Sequence, residues 1–188
     1  MRRKTFDKIL VASGVVVMAA LVVAGSLLTW GSSFISSNVR TQLVAQKIYF
    51  PPAAAFKAAK AGTEITPSMI PSVSQYAGQE MTNGAQAEAY ANDFIAVHLQ
   101  EIGGGLTYSQ VSAKSIADPK SVALANEVQL IFRGTTLRGL LLSSYAFWQM
   151  GQLAGDAALA SFLLAGVMLL LVVFGIVHLR RTPETAQI

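Results

Sequence analysis

The side chains that could do acid–base or metal chemistry are few. The chain has two histidines, His98 and His178, and no cysteine. His98 and Glu101 lie three residues apart on a predicted helix, a spacing that could present two metal ligands. A catalytic metal usually has three protein ligands, and no second cluster accompanies this pair. The pattern therefore predicts a packed or surface histidine, with no metal and no cofactor.

The serines and carboxylates form no catalytic arrangement in the sequence either. A serine nucleophile needs a positioned base, and the serine pairs at 36–37 and 143–144 lie in no Gly-x-Ser-x-Gly elbow. Glu88 resembles a solvated helix-face charge more than a general acid. The run Gly103-Gly104-Gly105 matches no phosphate-binding fingerprint, because no strand precedes it. The sequence predicts no catalytic residue.

The composition places the chain in a membrane. Of its 188 residues 53% are hydrophobic and 13% are charged, against about 25% charged in ordinary soluble domains. The predicted tails, 1–8 and 180–188, hold six basic and two acidic residues, which accounts for the whole net charge of +4. Basic residues at both ends are typical of a protein whose termini are cytoplasmic. The region between the tails has no net charge, which argues against a nucleic-acid partner, because such a partner needs a basic surface patch.

Two apolar blocks are long enough to cross a bilayer as helices, which takes roughly 20 residues. They are predicted at 9–30 and 157–179. A signal peptide is the alternative for the first block, but its apolar part exceeds the roughly 7–15 residues of a signal, so an uncleaved span is favoured. Trp30, Arg180 and Arg181 are expected to anchor the spans at the membrane interfaces. The predicted location is the plasma membrane, with two spans and the large central region outside.

Seven segments are expected in all. In order they are a cytoplasmic tail (1–8), the first transmembrane helix (9–30), an extracytoplasmic helical stalk (31–50), a helical cap with loops (51–134), an extracytoplasmic or interfacial helix (135–156), the second transmembrane helix (157–179) and a cytoplasmic tail (180–188). The stalk is read from apolar residues at three- and four-residue steps, and it should continue the first span to about Tyr49. The fold class is all-α: two long transmembrane helices form an antiparallel hairpin that extends outside the membrane and carries a small helical cap.

Local signals predict where the cap helices begin and end. Proline and glycine from Pro51 to Met81 indicate a surface loop with one short helix. A helix over 82–102 should be capped by Asn83 and ended by the three glycines. Asp118, followed by proline, is expected to start the next helix, and Gly134 to break it before a separate final helix.

Small and aromatic residues mark a candidate packing interface near the outer end of the second span. Gly151 and Gly155 form a GxxxG pair that lets helix backbones approach closely, and Ala158 extends the strip. Tyr145 and Trp148 just before it are candidates for an interfacial belt or a docking surface. The strip suits the hairpin itself, a homo-oligomer or a foreign subunit.

Asp156 is the candidate pathway charge of this junction. Ionisable groups near spans tend to be paired or to mark a pathway. The alternative is an acid wetted by water and lipid headgroups, which is the favoured interpretation.

Three stretches resemble those of a group of small actinobacterial two-span membrane proteins. They are Gly84-Ala85-Gln86-Ala87-Glu88-Ala89-Tyr90-Ala91, His98-Leu99-Gln100-Glu101-Ile102-Gly103-Gly104-Gly105 and Thr136-Leu137-Arg138-Gly139-Leu140-Leu141-Leu142. The resemblance covers most of the chain. It implies two membrane spans and an extracytoplasmic helical region, and it implies no activity, cofactor or site residue.

These features favour a non-enzymatic integral membrane protein, an accessory or self-assembling structural subunit of the cell envelope. Its expected partners are the lipid bilayer and itself or another membrane protein. One alternative is an oligomeric pore or transport-associated protein in which Asp156 lines the path. Another is an envelope enzyme that uses His98 with Glu101 or Glu88.

Overall fold

A computed structural model describes residues 3–183, so Arg2 and Glu184 of the predicted tails lie outside the described residues. The prediction of an all-α fold with a two-helix hairpin is confirmed. The α-helices are α1 (Arg3–Ala45), α2 (Ala53–Lys57), α3 (Ile70–Val73), α4 (Gly84–Ala89), α5 (Ala96–Ile102), α6 (Tyr108–Ala117) and α7 (Val122–Arg181). Short 3-10 turns at Pro67–Met69 and Ser74–Tyr76 flank α3, and a π-helical segment, Tyr90–Ile95, joins α4 to α5.

Two of these helices dominate the chain. α1 has 43 residues and α7 has 60, and both are long and apolar enough to cross a membrane. The chain divides into two compact units, and both helices contribute to each of them. Within the described residues, the hairpin unit comprises 3–34 and 150–183, and the globular unit comprises 35–149.

In the hairpin unit the two helices run antiparallel in close contact. A Cβ added at Gly14 would lie 2.9 Å from Val172 Cγ2, and one added at Gly25 would lie 2.9 Å from Phe162 Cζ. The buried positions of α7 recur every seven residues, at Gly151, Ala158, Ala165 and Val172. A seven-residue repeat is the period that keeps one seam facing a partner helix. The seam therefore winds along both helices as in a coiled coil.

The expected helix break at Gly134 is wrong, because α7 runs without interruption from Val122 to Arg181. The glycine has a packing role there: a Cβ added at Gly134 would lie 2.6 Å from Leu99 Cδ2. Glycine costs a helix interior about 1 kcal/mol relative to alanine, and the neighbouring residues outweigh that cost. Residues 135–156 are thus the middle of one helix and do not begin a new one.

In the globular unit, the segment from Pro51 to Met81 is closed at its base by backbone hydrogen bonds. Phe50 N–H donates to the Gln79 carbonyl (2.9 Å) and Met81 N–H donates to the Ile48 carbonyl (2.9 Å). Tyr49 and Glu80 form an isolated antiparallel bridge between them. The segment's two ends are therefore held side by side.

The closed segment supplies much of the hydrophobic core, so the expectation of a surface loop is wrong. Met69, Val73 and Met81 are fully buried, and Phe56 and Ile65 join them in one cluster. α1 contributes its own buried side chains to the same cluster. Proline and glycine set the turns here, but the apolar residues between them point inward.

The helix starts are partly as predicted. Asn83 caps α4, because its Oδ1 accepts a hydrogen bond from Gln86 N–H (3.0 Å). Gly104 and Gly105 have positive φ after α5, so the three glycines end that helix as expected. Asp118 does not start α7. It follows the last residue of α6, and the cap is Ser121, whose Oγ accepts from Leu124 N–H (3.3 Å).

Candidate functional sites

Along the seam of the hairpin unit, glycines on each helix face side chains on the other. A Cβ at Gly175 would meet Val11 Cγ2 at 2.8 Å, and one at Gly155 would meet Ser32 Oγ at 3.1 Å. Lipid tails are as apolar as leucine, so helices in a bilayer associate mainly through close packing and hydrogen bonds. Glycines facing side chains across the seam supply that packing.

Three of the predicted interface residues lie in this seam. Gly151 and Ala158 are buried and Gly155 is half-buried. They occupy successive turns of the buried stripe of α7. The GxxxG pair therefore packs within one chain, and its buried member is not available to a second copy.

An apolar groove of about 420 Å³ lies on the surface of the hairpin unit, near the helix ends that are closest to the termini. We call it the Ser13 groove. Leu10, Ser13 and Val17 of α1 line one side, and Leu171 of α7 lines the other. Ser13 is the polar side chain in this lining, and its small size keeps the groove open beside Gly14. The groove has the form that accepts a further apolar helix or an acyl chain.

Asp156 and the predicted anchors lie on the exposed surface of the hairpin unit. Asp156 is exposed, and none of the residues 3–183 forms an ion pair with it. Trp30 is 68% exposed and stacks on Phe34, with ring centroids 5.7 Å apart. Arg180 and Arg181 are exposed in the last turn of α7. Each has the exposure that an interfacial residue needs.

The two ends of the hairpin that are nearest the termini meet each other. His178 Nε2 lies 3.9 Å from Asp7 Oδ2, and Asp7 is the more buried of the two side chains. The start of α1 and the end of α7 are therefore side by side. A hairpin that crosses a bilayer in this form has both termini on the same side.

In the globular unit Trp148 packs inside the fold. The Trp148 side chain occupies the space beside Gly84, where an added Cβ would lie 2.6 Å from its Cγ. Tyr145 stacks on the indole at a centroid distance of 6.3 Å. Both aromatics are half-buried. Trp148 packs α7 against α4 within this unit.

A ladder of aromatic rings leads from the core to the surface of the globular unit. Phe50 contacts Tyr76 and Tyr90, Tyr90 stacks on Phe94 at 4.6 Å, and Phe94 contacts the ring of His98 at 4.6 Å. The last three rings recur every four residues along the π segment and the start of α5. Such π segments are frequent at functional sites.

His98 closes the ladder with a hydrogen bond to the backbone. Its Nδ1 lies 2.8 Å from the Phe94 carbonyl oxygen. A carbonyl only accepts, so Nδ1 is the donor of this hydrogen bond. His98, Tyr90 and Glu64 line one groove of about 300 Å³. Burial raises the pKa of the Tyr90 phenol, and the negative charge of Glu64 raises that pKa further.

This groove does not assemble the metal or acid–base partners considered from the sequence. Among residues 3–183, no three His, Asp or Glu side chains come together as a metal site. Glu101 is exposed and does not line the His98 groove, and neither does Glu88. The groove instead combines one carboxylate, one phenol and one imidazole nitrogen on an apolar wall.

Gly14, Gly25 and Gly175 are seam residues that sequence reasoning missed. Ala20 and Ala24 form another small pair in the first span, but both are exposed and lie outside the seam. A sequence signal was available in α7, because the small residues Gly151, Ala158 and Ala165 recur every seven residues there.

No protein-family model, no curated protein and no solved structure matches the chain. The resemblance to the group of actinobacterial two-span proteins therefore stays a prediction.

Proposed function

We propose that the protein is a non-enzymatic accessory or self-assembling subunit of the cell envelope, held in the plasma membrane by its helical hairpin. The observation that carries this proposal is the closed seam of the hairpin unit. Glycines of each helix face side chains of the other along it, from Gly175 against Val11 at one end to Gly155 against Ser32 at the other. Helices packed this closely suit a membrane anchor more than a pore within one hairpin.

The proposed orientation has both termini in the cytoplasm and residues 31–156 outside. The meeting of Asp7 with His178 supports termini on one side of the membrane. The basic residues of the two tails support the cytoplasmic side, because positively charged segments stay there. Cysteine labelling of substituted Thr5 and Ser68 in intact cells would test this orientation, with only the Ser68 position expected to react.

Self-assembly, in this proposal, uses the Ser13 groove, since α1 and α7 already occupy the seam between them. The test is native mass spectrometry after mild-detergent extraction of the intact protein. Ser13→Phe fills the groove, and Val16→Phe is the matched control, because Val16 is exposed on α1 but does not line the groove. The expected result is an assembly that Ser13→Phe weakens and Val16→Phe leaves intact. A strictly monomeric, partner-free wild-type protein would refute the proposal.

A pore is the alternative that the exposure of Asp156 keeps open, since an exposed acid can line a path between protomers in a ring. The accessory-subunit proposal expects no selective ion flux in liposomes, and no effect of Asp156→Asn. Selective flux that Asp156→Asn abolishes would favour the pore.

A further inference from the structure

A second groove of the globular unit, of about 450 Å³, is lined by apolar residues, here called its floor, and by polar residues, here called its wall. Its floor comprises Ala96 and Leu99 of α5, Leu106, and Ile131 of α7. Its polar wall comprises Thr107 and Ser109 at the start of α6, and Thr135 and Arg138 of α7. This groove is distinct from the His98 groove, although Leu99 contributes to both.

Arg138 is a cation that has no counter-charge within residues 3–183. The side chain is half-buried, and its Nη2 donates a hydrogen bond to the neutral Asn92 Oδ1 (2.8 Å). Its Nε is buried and has no hydrogen-bond partner in the described part of the chain. No carboxylate among residues 3–183 forms an ion pair with it. A guanidinium has five N–H donors, so the bond to Asn92 leaves most of its hydrogen-bonding capacity for a ligand.

Further donors face the same groove. The capping box of α6 satisfies two backbone groups, since Gln110 N–H donates to Thr107 Oγ1 and Thr107 N–H donates to Gln110 Oε1. The N–H groups of Tyr108 and Ser109 have no hydrogen-bond partner within residues 3–183. Both residues line the groove. An anion beside Arg138 would meet a cation, hydroxyl groups and the positive end of a ten-residue helix.

We propose that this groove binds an oxyanion carried on a short apolar body, with its phosphate or carboxylate beside Arg138 and Thr135 and its apolar part along Leu99 and Ile131. The Arg138 guanidinium selects a ligand with a negative charge. The apolar floor selects a ligand that also has a hydrocarbon portion. The proposal concerns the globular unit alone and holds whether or not the protein self-assembles.

The experiment titrates the full chain in phosphatidylcholine nanodiscs by calorimetry with octyl phosphate and, in a second arm, with inorganic phosphate. Arg138→Gln removes the cation, and Arg133→Gln removes an exposed arginine of the same helix that does not line the groove. Octyl phosphate should bind the wild type saturably. Arg138→Gln should weaken that binding by about tenfold or more, the size of a lost charge-assisted hydrogen bond, while Arg133→Gln should leave it unchanged.

Thr135→Val keeps the proposal testable if Arg138→Gln does not fold, because it removes one hydroxyl from the wall and preserves the side-chain shape. It should weaken octyl phosphate binding by roughly threefold to tenfold, as for one neutral hydrogen bond. Absence of saturable binding by the wild type, or equal losses in Arg138→Gln and Arg133→Gln, would overturn the proposal. Inorganic phosphate that binds as tightly as octyl phosphate would overturn the apolar part of it and identify a free-anion site.

Discussion

Replacing Gly84 by alanine tests whether α4 and α7 pack as closely as the globular unit requires. The added Cβ would overlap Trp148 Cβ and lie 2.6 Å from its Cγ. These atoms are next to the α7 backbone, so a change of side-chain rotamer cannot move the Trp148 Cβ away. The clash can be relieved only by separating the two helices. Overpacking of this kind costs about 1–3 kcal/mol, and we expect a net loss of about 2 kcal/mol.

Gly139→Ala is the matched control in the same unit. Gly139 lies within α7, and a Cβ added there would have no atom within 4 Å apart from the adjoining residues and backbone of its own helix. Alanine should then stabilise the helix by about 0.5–1 kcal/mol, because glycine loses more backbone freedom on folding. The same substitution is thus expected to have opposite signs at the two glycines.

Urea unfolding in mild detergent can measure both effects. The chain has two tryptophans, and a Trp30→Phe background leaves Trp148 as the only reporter, inside the globular unit. With a urea dependence of about 2 kcal/mol per molar, Gly84→Ala should lower the midpoint by roughly 1 M, and Gly139→Ala should raise it slightly. A Gly84→Ala midpoint equal to or above that of its parent would refute the close packing of Trp148 on α4.

Three further predictions concern the seam, the aromatic ladder and a helix cap. Gly25→Leu should lower the thermal midpoint of the hairpin in detergent by disrupting the seam, whereas Gly166→Leu, at an open position, should leave it unchanged; equal effects would contradict the seam. The raised pKa of Tyr90 makes a contribution to folding stability that is present below pH 10 and is lost as the pH rises through the folded pKa. Ultraviolet titration should show a late-ionising tyrosine that Tyr90→Phe removes. Glu64→Gln should lower the pKa of Tyr90 only in part, because burial is the larger cause of its shift. Asn83→Ala should cost about 1 kcal/mol of the free energy of unfolding, as for other lost helix caps, and an unchanged urea midpoint would argue against the Asn83 cap.

The features predicted correctly from sequence are those with strong local signals. The apolar blocks identified the two long helices, since length and hydropathy alone define a candidate span. Asn83 was identified because its side chain caps the residue three positions ahead, within the same turn. The glycine run ended α5 because Gly104 and Gly105 adopt positive φ, which favours glycine. Each of these outcomes depends on residues within a few positions of one another.

The errors arose where distant residues decide the local structure. From the sequence, Gly134 predicts a helix break. In the structure it packs against Leu99 of another helix, and this contact is not visible in the local sequence. Pro51 to Met81 reads as a surface loop because it has no helical or strand period. Its closure rests on hydrogen bonds between residues about 30 positions apart, such as Met81 N–H to the Ile48 carbonyl. Sequence patterns within one window cannot include such partners.

The packing of the hairpin unit also limits how a second copy could bind. A GxxxG pair in a single span usually suggests dimerisation, but Gly151 is buried and Gly155 faces Ser32 within the same chain. A partner helix that used this pair would have to displace α1 from the seam. The Ser13 groove requires no such exchange, because α1 and α7 stay in contact with each other beneath it. Assembly through that groove would therefore add to the contacts of the folded chain, whereas assembly through the glycine pair would have to replace them.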